Sequence, residues 1–248
     1  MSLEKEDLNS NSLIALRYST ASKIFEVILV IVIAIIMARL LDPKDFGIIA
    51  MCSVFTGISS LLINLGTSDA IIRQDEDQVT KGFLSSIFWI NFLIGVITTI
   101  TLVLMSGWIS RLYGYEIIQP IVTILSVNII FSAMVNVPTS IIIRNLDFKK
   151  ILYQKVLILP ISGCIGIMMA LNGYGVWSLV IQQVVYVTGG SLFLWRLSKW
   201  VPAFSFDIQH IKKILHFSGY LSLSKFLNYT TKKGDLFLIG KYIGSESL

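Results

Sequence analysis

Six long apolar runs, separated by short polar stretches, make up most of the first 200 residues of the chain. They are Ile24–Leu41, Ile48–Leu65, Phe83–Met105, Ile117–Val135, Val156–Leu171 and Val176–Leu197. A helix needs about 20 apolar residues to cross ~30 Å of hydrocarbon, and each run is close to that length. The runs are continuous, whereas the strands of a membrane barrel alternate apolar and polar residues. The pattern therefore predicts an all-α, polytopic transmembrane helical bundle.

Composition supports this prediction. Of the 248 residues, 54% are hydrophobic and 14% are charged, and the mean hydropathy is +0.76. Soluble domains carry roughly 25% charged residues, so a fully hydrated surface is excluded. The two cysteines, Cys52 and Cys164, fall inside apolar runs, where we expect small packed side chains. The polar, acidic N-terminus does not resemble a cleavable signal peptide.

The basic residues predict the orientation in the membrane. With a cytoplasmic N-terminus, most Lys and Arg residues of the connections lie inside, and only Arg39, Lys44, Arg111 and Lys241 lie outside. This distribution follows the positive-inside rule, which the reverse orientation would violate. The net charge of +5 is explained by these connections, so no nucleic-acid partner is expected.

The beginning of the chain is weakly repeated near its end. Residues 16–19 (LRYS) resemble 215–218 (LHFS), and 38–41 (ARLL) resemble 240–243 (GKYI), with a gap between the two matches. The repeat follows six runs and a basic stretch, where a second lobe in the same orientation would begin. We expect an N-terminal fragment of a two-lobed protein. An intact seven-span protein is the alternative.

The predicted organisation has four parts. Residues 1–15 form a cytoplasmic N-terminus, and 16–197 form an N-terminal six-helix lobe. Residues 198–214 form a cytoplasmic linker, and 215–248 contain the first helix of a truncated second lobe.

Three segments resemble a known family. They are Met37–Ile48 (MARLLDPKDFGI), Asn64–Gln74 (NLGTSDAIIRQ) and Phe88–Asn91 (FWIN). They are similar to bacterial polysaccharide exporters, the lipid-linked oligosaccharide flippases of the multidrug/oligosaccharidyl-lipid/polysaccharide superfamily, and above all to the colanic-acid and teichuronic-acid exporter branch. The resemblance implies a multi-pass inner-membrane transporter with two lobes around a cavity. Its implied substrate is an undecaprenyl-diphosphate-linked oligosaccharide, moved to the outer leaflet for cell-surface polysaccharide biosynthesis. Membrane lipids and other polysaccharide assembly proteins are further expected partners.

Ionisable residues inside spans are costly and usually face a wet cavity. Lys23 and Glu26 share a face of the first span. Several more charged residues lie in the seventh segment, which is the helix expected within residues 215–248. Lysine side chains at these positions are suited to binding a diphosphate through charge-assisted hydrogen bonds. The predicted substrate-binding cavity contains Lys23, Glu26, Arg39, Lys225, Lys232, Lys233 and Asp235. In the alternative interpretation, Lys23 snorkels to the headgroups and the seventh segment is a tail outside the membrane.

Other functions remain open. The sequence has no nucleotide-binding loop of the G-x-x-x-x-G-K-[ST] type, no H-E-x-x-H and no C-x-x-C. We therefore expect no enzyme activity, no cofactor and no metal. A drug/cation antiporter of the same superfamily should place several carboxylates in its cavity, and Glu26 is the only acidic residue well inside the six runs. A membrane-bound polysaccharide polymerase should have a large outer loop, which is missing. A non-functional truncated product is the last alternative.

Overall fold

The computed structural model describes residues 2–63, 66–74 and 79–204, and separate positions further on (227–229, 231, 236, 239, 241, 242 and 244). For residues 2–13 and 60–62 only the backbone is described. In the continuous part the chain forms helices and no strands. They are α1 (Ser2–Leu40), α2 (Pro43–Ile63), α3 (Thr67–Arg73), α4 (Lys81–Tyr113), α5 (Ile118–Arg144), α6 (Phe148–Leu171) and α7 (Val176–Ser198).

Five of these helices are long and apolar enough to cross a membrane: α1 from Ile14 onward, α4, α5, α6 and α7. Helix α2, 21 residues long, contains the second apolar run from Ile48 to Ile63. The predicted fold class, a helical membrane bundle, is confirmed.

Helix α5 lies at the centre of the bundle. It packs against α4 on one side and α7 on the other, and α2 and the short α3 also contact it. Helix α6 packs on α7, and α1 packs on α6 at the edge of the bundle. Most apolar side chains of α1 are consequently exposed, among them Ile24, Ile28, Ile31 and Ile35. An exposed apolar stripe of this kind is the face that a spanning helix turns to lipid.

Helices α1 and α6 approach closely because α6 has a glycine at the contact. A Cβ atom at Gly163 would lie 2.4 Å from Cδ1 of Ile33 in α1, closer than two carbon atoms can pack. Small residues at helix contacts let backbones approach, which strengthens van der Waals packing in a membrane. Gly163 therefore determines how closely α1 docks.

A buried polar network holds α3 against α4 and α5. The Nδ2 group of Asn91 donates to Thr67 (3.2 Å) and to Oδ1 of Asn136 (3.3 Å), and Ser68 donates to the same Asn136 oxygen (3.1 Å). Arg144 donates to the carbonyl oxygens of Ile71 and Gln74 at the C-terminal end of α3. Asn91 thus bridges three helices, as polar residues in the middle of spanning helices commonly do.

The segment after α7 folds back onto α4. The backbone N–H of Ala203 donates to Oγ of Ser85 (2.9 Å), and Nε1 of Trp89 donates to the Ala203 carbonyl (3.1 Å). The Trp200 ring packs edge-on against Phe88, with 5.7 Å between ring centroids. The first residues of the predicted linker are therefore fixed to the helical lobe.

Several local predictions were wrong. The sequence suggested that Pro43 closes the first helix and Gly47 opens the second, but α2 begins at Pro43 itself. Proline suits the first helical position because its missing N–H would be unpaired there anyway. The sequence also suggested a basic inner loop that contains Arg144, Asn145, Asp147, Lys149 and Lys150. Only residues 145–147 lie between the helices, because α5 ends at Arg144 and α6 begins at Phe148. Cys164 is exposed, whereas Cys52 is buried as expected.

Candidate functional site

Two lysine side chains, one from α1 and one from α6, meet at Glu26 of α1. Its Oε2 atom accepts from Nζ of Lys155 in α6 at 2.8 Å and from Nζ of Lys23 at 3.1 Å. The Lys155 side chain is 17% exposed, whereas that of Lys23 is 71% exposed. Lys155 is thus held inside the bundle, and Lys23 approaches Glu26 from its open side.

A cavity of about 290 Å³ opens beside this ion cluster. It lies between α1, α2, α6 and α7. Among the described residues that line it, Glu26 is the charged one. Ser162, Gln182, Gln183 and Tyr186 supply the other polar groups of the wall. The arrangement places a carboxylate, hydroxyls and amides around one space in a helical membrane bundle.

Two smaller cavities adjoin this one. A cavity of about 170 Å³ shares Val30, Leu159, Leu179 and Gln182 with it and is mainly apolar. Another of about 240 Å³ lies between α2, α5 and α7 and shares Gln183. Because they share lining residues, the three cavities are neighbours along the inner face of α7.

The predicted site residues divide into three groups. Lys23 and Glu26 come together, as their spacing on one helix predicted. Arg39 is exposed in the last turn of α1, about 20 Å from Glu26 at 1.5 Å per residue, so it does not belong to this cluster. Lys225, Lys232, Lys233 and Asp235 lie outside the described residues, and their assignment stays a prediction.

Sequence reasoning missed Lys155. It lies next to the boundary of the apolar run that begins at Val156, so it was assigned to the cytoplasmic side. In the structure it lies in the second turn of α6, and Leu159 and Ser162 follow it at helical spacing along the cavity wall. The i, i+4, i+7 spacing of these three residues was the available signal.

At the opposite end of α1, Asp45 connects two helices. It lies in the first turn of α2, before the apolar run, and its carboxylate accepts from the backbone N–H of Val176 in α7. Burial raises the pKa of the Asp45 carboxyl above its ordinary value, and the charge of Asp42 raises it further. Hydrogen bonds from the backbone and the charge of Lys44 oppose this increase.

Comparison with known proteins identifies the family. The model of a family described as "Polysaccharide biosynthesis protein" matches residues 36–248, which is most of the chain. The chain belongs to this family. Lys155 lies within the matched residues, whereas Lys23 and Glu26 precede them.

Three curated relatives carry names from polysaccharide biosynthesis. The succinoglycan biosynthesis transport protein ExoT of Rhizobium meliloti (strain 1021) is 26% identical over 209 residues, covering 84% of this chain and 42% of its own. The teichuronic acid biosynthesis protein TuaB of Bacillus subtilis (strain 168) is 26% identical over 200 residues, covering 78% and 40%. The lipopolysaccharide biosynthesis protein WzxC of Escherichia coli (strain K12) is 20% identical over 217 residues, covering 85% and 43%.

The chain spans less than half of the length of each of these three relatives. No solved structure matches the chain. Family membership and the spanning helices together make it a multi-pass membrane protein of polysaccharide biosynthesis.

Proposed function

We propose that the protein moves lipid-linked oligosaccharide units across the bacterial inner membrane, with undecaprenyl diphosphate as the lipid carrier. The names of the relatives support a role in polysaccharide export, and two of them cover more than four-fifths of this chain. In this proposal the N-terminus is cytoplasmic, residues 16–197 form one lobe, 198–214 link it to a second lobe, and 215–248 begin that lobe. Membrane lipids and other polysaccharide assembly proteins are its partners.

The ion cluster beside the 290 Å³ cavity carries this proposal. It contains two lysines and one carboxylate, so its formal charge is +1. Glu26 stabilises Lys155 in a partly buried position that an isolated ammonium group would avoid. Lys23 is largely exposed and can turn toward an anion without leaving a buried carboxylate unpaired. A diphosphate offers the acceptor oxygens that ammonium groups bind in charge-assisted hydrogen bonds.

The same cluster argues against a drug/cation antiporter. A carboxylate that binds a cationic substrate needs free oxygen lone pairs and an unbalanced negative charge. The charge of Glu26 is already balanced by two ammonium groups on its Oε2 atom, so a cationic substrate would be a third cation and would be repelled by Lys23 and Lys155. An anionic substrate meets no such repulsion.

Transport in proteoliposomes tests the proposal. The full-length protein is reconstituted with a fluorescent polyprenyl-diphosphate oligosaccharide, and movement between leaflets is followed by dithionite quenching. Lys155→Gln removes one cation of the cluster while Lys23 keeps Glu26 paired. The loss of one charge-assisted hydrogen bond should lower the initial rate at subsaturating substrate by roughly tenfold.

Lys150→Gln is the matched control. Lys150 lies on the same helix and is also ion-paired, with Asp147 at 2.8 Å, but this pair is more exposed and lies in the first turn of α6. The Lys150→Gln variant should transport the probe at the wild-type rate. If Lys155→Gln also moves the probe at the wild-type rate, or if the wild type moves none, the proposal is wrong.

A further inference from the structure

The 240 Å³ cavity between α2, α5 and α7 contains a buried amide that the described protein leaves without a partner. Asn128 of α5 lines this cavity and is only 6% exposed. Neither its Oδ1 nor its Nδ2 atom has a hydrogen-bond partner in the described part of the chain. Burying an amide without partners costs on the order of 1–3 kcal/mol by mutational data. An apolar side chain of similar size would avoid this cost, so the amide indicates a ligand.

The hydroxyl groups around Asn128 define which ligand atoms fit. Ser53 donates its proton to the Ala50 carbonyl (2.7 Å), and Thr56 donates to the Cys52 carbonyl (3.3 Å). Since both hydroxyl protons are already used, these two side chains of the cavity wall can only accept hydrogen bonds from a ligand. Asn128 adds one acceptor and one donor group, and Gln183 adds another amide to the wall. A ligand with several O–H donors and at least one acceptor oxygen satisfies this set.

The lack of charge and the apolar walls of the cavity limit further which class of ligand can bind. None of the described residues that line it is charged, so an ionised ligand group would be poorly solvated there. Ile63, Leu125, Ile129 and Val187 provide apolar walls. A neutral ring with hydroxyl edges and C–H faces, which is a sugar, matches both kinds of surface.

The volume suits one sugar ring. An apolar cavity of roughly 150 Å³ holds a benzene molecule, so the space of about 240 Å³ around Asn128 has room for a single six-membered ring with its substituents. It does not have room for a whole oligosaccharide.

The position of the cavity agrees with the proposed substrate, and the inference rests on that proposed function. Gln183 of α7 lines both this cavity and the one that contains Glu26. The cavity beside the charged cluster and the neutral pocket thus share one wall residue of α7. We propose that the pocket at Asn128 binds the neutral sugar ring attached directly to the diphosphate, while the Lys23–Glu26–Lys155 cluster contacts the diphosphate itself.

Binding measurements with two probes test this assignment. The purified full-length protein is titrated in detergent with a short polyprenyl diphosphate and with the same lipid carrying one hexose. Asn128→Leu replaces the amide by an apolar group of similar size. It should weaken binding of the glycosylated probe about tenfold and leave binding of the bare diphosphate unchanged. Lys155→Gln should weaken binding of both probes.

Thr123→Val is the control on the same helix. Thr123 is half-buried and does not line the cavity, and its hydroxyl donates to the Gln119 carbonyl in an exposed hydrogen bond. This variant should bind both probes like the wild type. Melting temperatures should show that Asn128→Leu folds at least as stably as the wild type, because it removes an unpaired buried amide. If it fails to fold, Asn128→Ser, which shortens the side chain, is measured instead and should show the same selective loss.

The outcomes separate the two proposals. If the wild type binds both probes equally, or if the Asn128 variants bind the glycosylated probe like the wild type, the pocket is not a sugar site, and the proposed function still stands. If the wild type binds neither probe, both proposals are overturned.

Discussion

At the scale of single residues, Lys155 shows how context gives a common side chain a specific role. Lys149, Lys150 and Lys155 all lie in the first two turns of α6. Lys150 pairs with Asp147 at a more exposed position, whereas Lys155 reaches Glu26 from a partly buried one. Exposed pairs contribute little to stability because water screens them. A partly buried pair is costlier to break, since the remaining carboxylate then lacks a partner.

The pKa of Asp45 gives a prediction about stability. Burial and Asp42 raise the pKa of this carboxyl, so its charged form is less stable in the folded protein than in the unfolded one. The contribution of Asp45 to folding is therefore most favourable at low pH and is lost as the pH rises through the raised pKa. Asp45→Asn should raise the melting temperature at pH 7, and the gain should shrink as the pH falls toward that pKa.

Thermal unfolding in detergent between pH 4 and pH 8 measures this effect. Asp147→Asn is the control, because the Asp147 and Lys150 side chains are 37% and 35% exposed, so that solvent screens their pair. This variant should give no gain at neutral pH. A lower melting temperature of Asp45→Asn at pH 7 would show that the hydrogen bond to Val176 outweighs the desolvation of the carboxylate.

At the scale of helices, the docking of α1 depends on its interface with one helix, α6. Helix α1 lies at the edge of the bundle and packs mainly on α6. Ile33 and Met37 are buried in this contact, while most of the remaining apolar side chains of α1 are exposed. Because Glu26 lies on α1 and Lys155 on α6, the same contact determines the geometry of the ion cluster.

Gly163→Ala should therefore lower the stability of the protein and disturb the geometry of the ion cluster at Glu26. The added Cβ would lie 2.4 Å from Cδ1 of Ile33, and overpacking of this kind costs about 1–3 kcal/mol. Ile33→Val removes that Cδ1 atom and should cost about 0.5–1.5 kcal/mol by itself. The double variant should be more stable than Gly163→Ala alone.

Equilibrium unfolding of the wild type, Gly163→Ala, Ile33→Val and the double variant measures the coupling between positions 33 and 163 through a double-mutant cycle. Strictly additive free energies would mean that the two side chains do not compete for the same space. Gly189→Ala is a suitable control, because a Cβ there would only make ordinary contact with Ile158 at 3.5 Å.

At the scale of the whole molecule, the orientation in the membrane is the property that most affects the proposed mechanism. With the N-terminus inside, the connection between α1 and α2 lies outside and the stretch from residue 75 to 78 lies inside. Substrate would then reach the Glu26 end of α1 from the cytoplasm. The positive-inside rule supports this orientation.

Cysteine labelling in intact cells tests the orientation. In a Cys164→Ser background, Lys44→Cys should react with an impermeant maleimide added outside, and Gln78→Cys should react only after permeabilisation. Cys52 is buried and should stay silent in both. The opposite labelling pattern would reverse the topology and place the ion cluster near the outer surface.

Much of the fold could be predicted because hydrophobicity is a local property. Each apolar run needed only its own residues to be recognised as a spanning helix, and the runs agree with α1, α2 and α4 to α7 in order. Helix α3 was not predicted. Its seven residues carry too weak a pattern, and its position depends on contacts with Asn91, Asn136 and Arg144.

The candidate site could be predicted only in part. Lys23 and Glu26 are three residues apart, so helical geometry alone placed them together. Arg39 has the same charge as Lys155, but it lies at the other end of α1 from the cavity. Asn128, like Asn91, is a polar residue in the middle of an apolar run, where a bridge between helices is the usual role. Its sequence environment gives no reason to treat the two residues differently.

The sequence by itself determined that this chain is a helical membrane protein of a polysaccharide family, because hydrocarbon selects long apolar helices and the motifs lie in contiguous segments. Only the tertiary structure decided which polar groups meet. Lys155 and Glu26 are 129 positions apart. In the described part of the chain the Asn128 side chain has no hydrogen-bond partner, whereas that of Asn91 bonds to Thr67 and Asn136. Those outcomes depend on how α1, α5, α6 and α7 pack, which is set by the fit of side chains between helices and not by any one stretch of sequence.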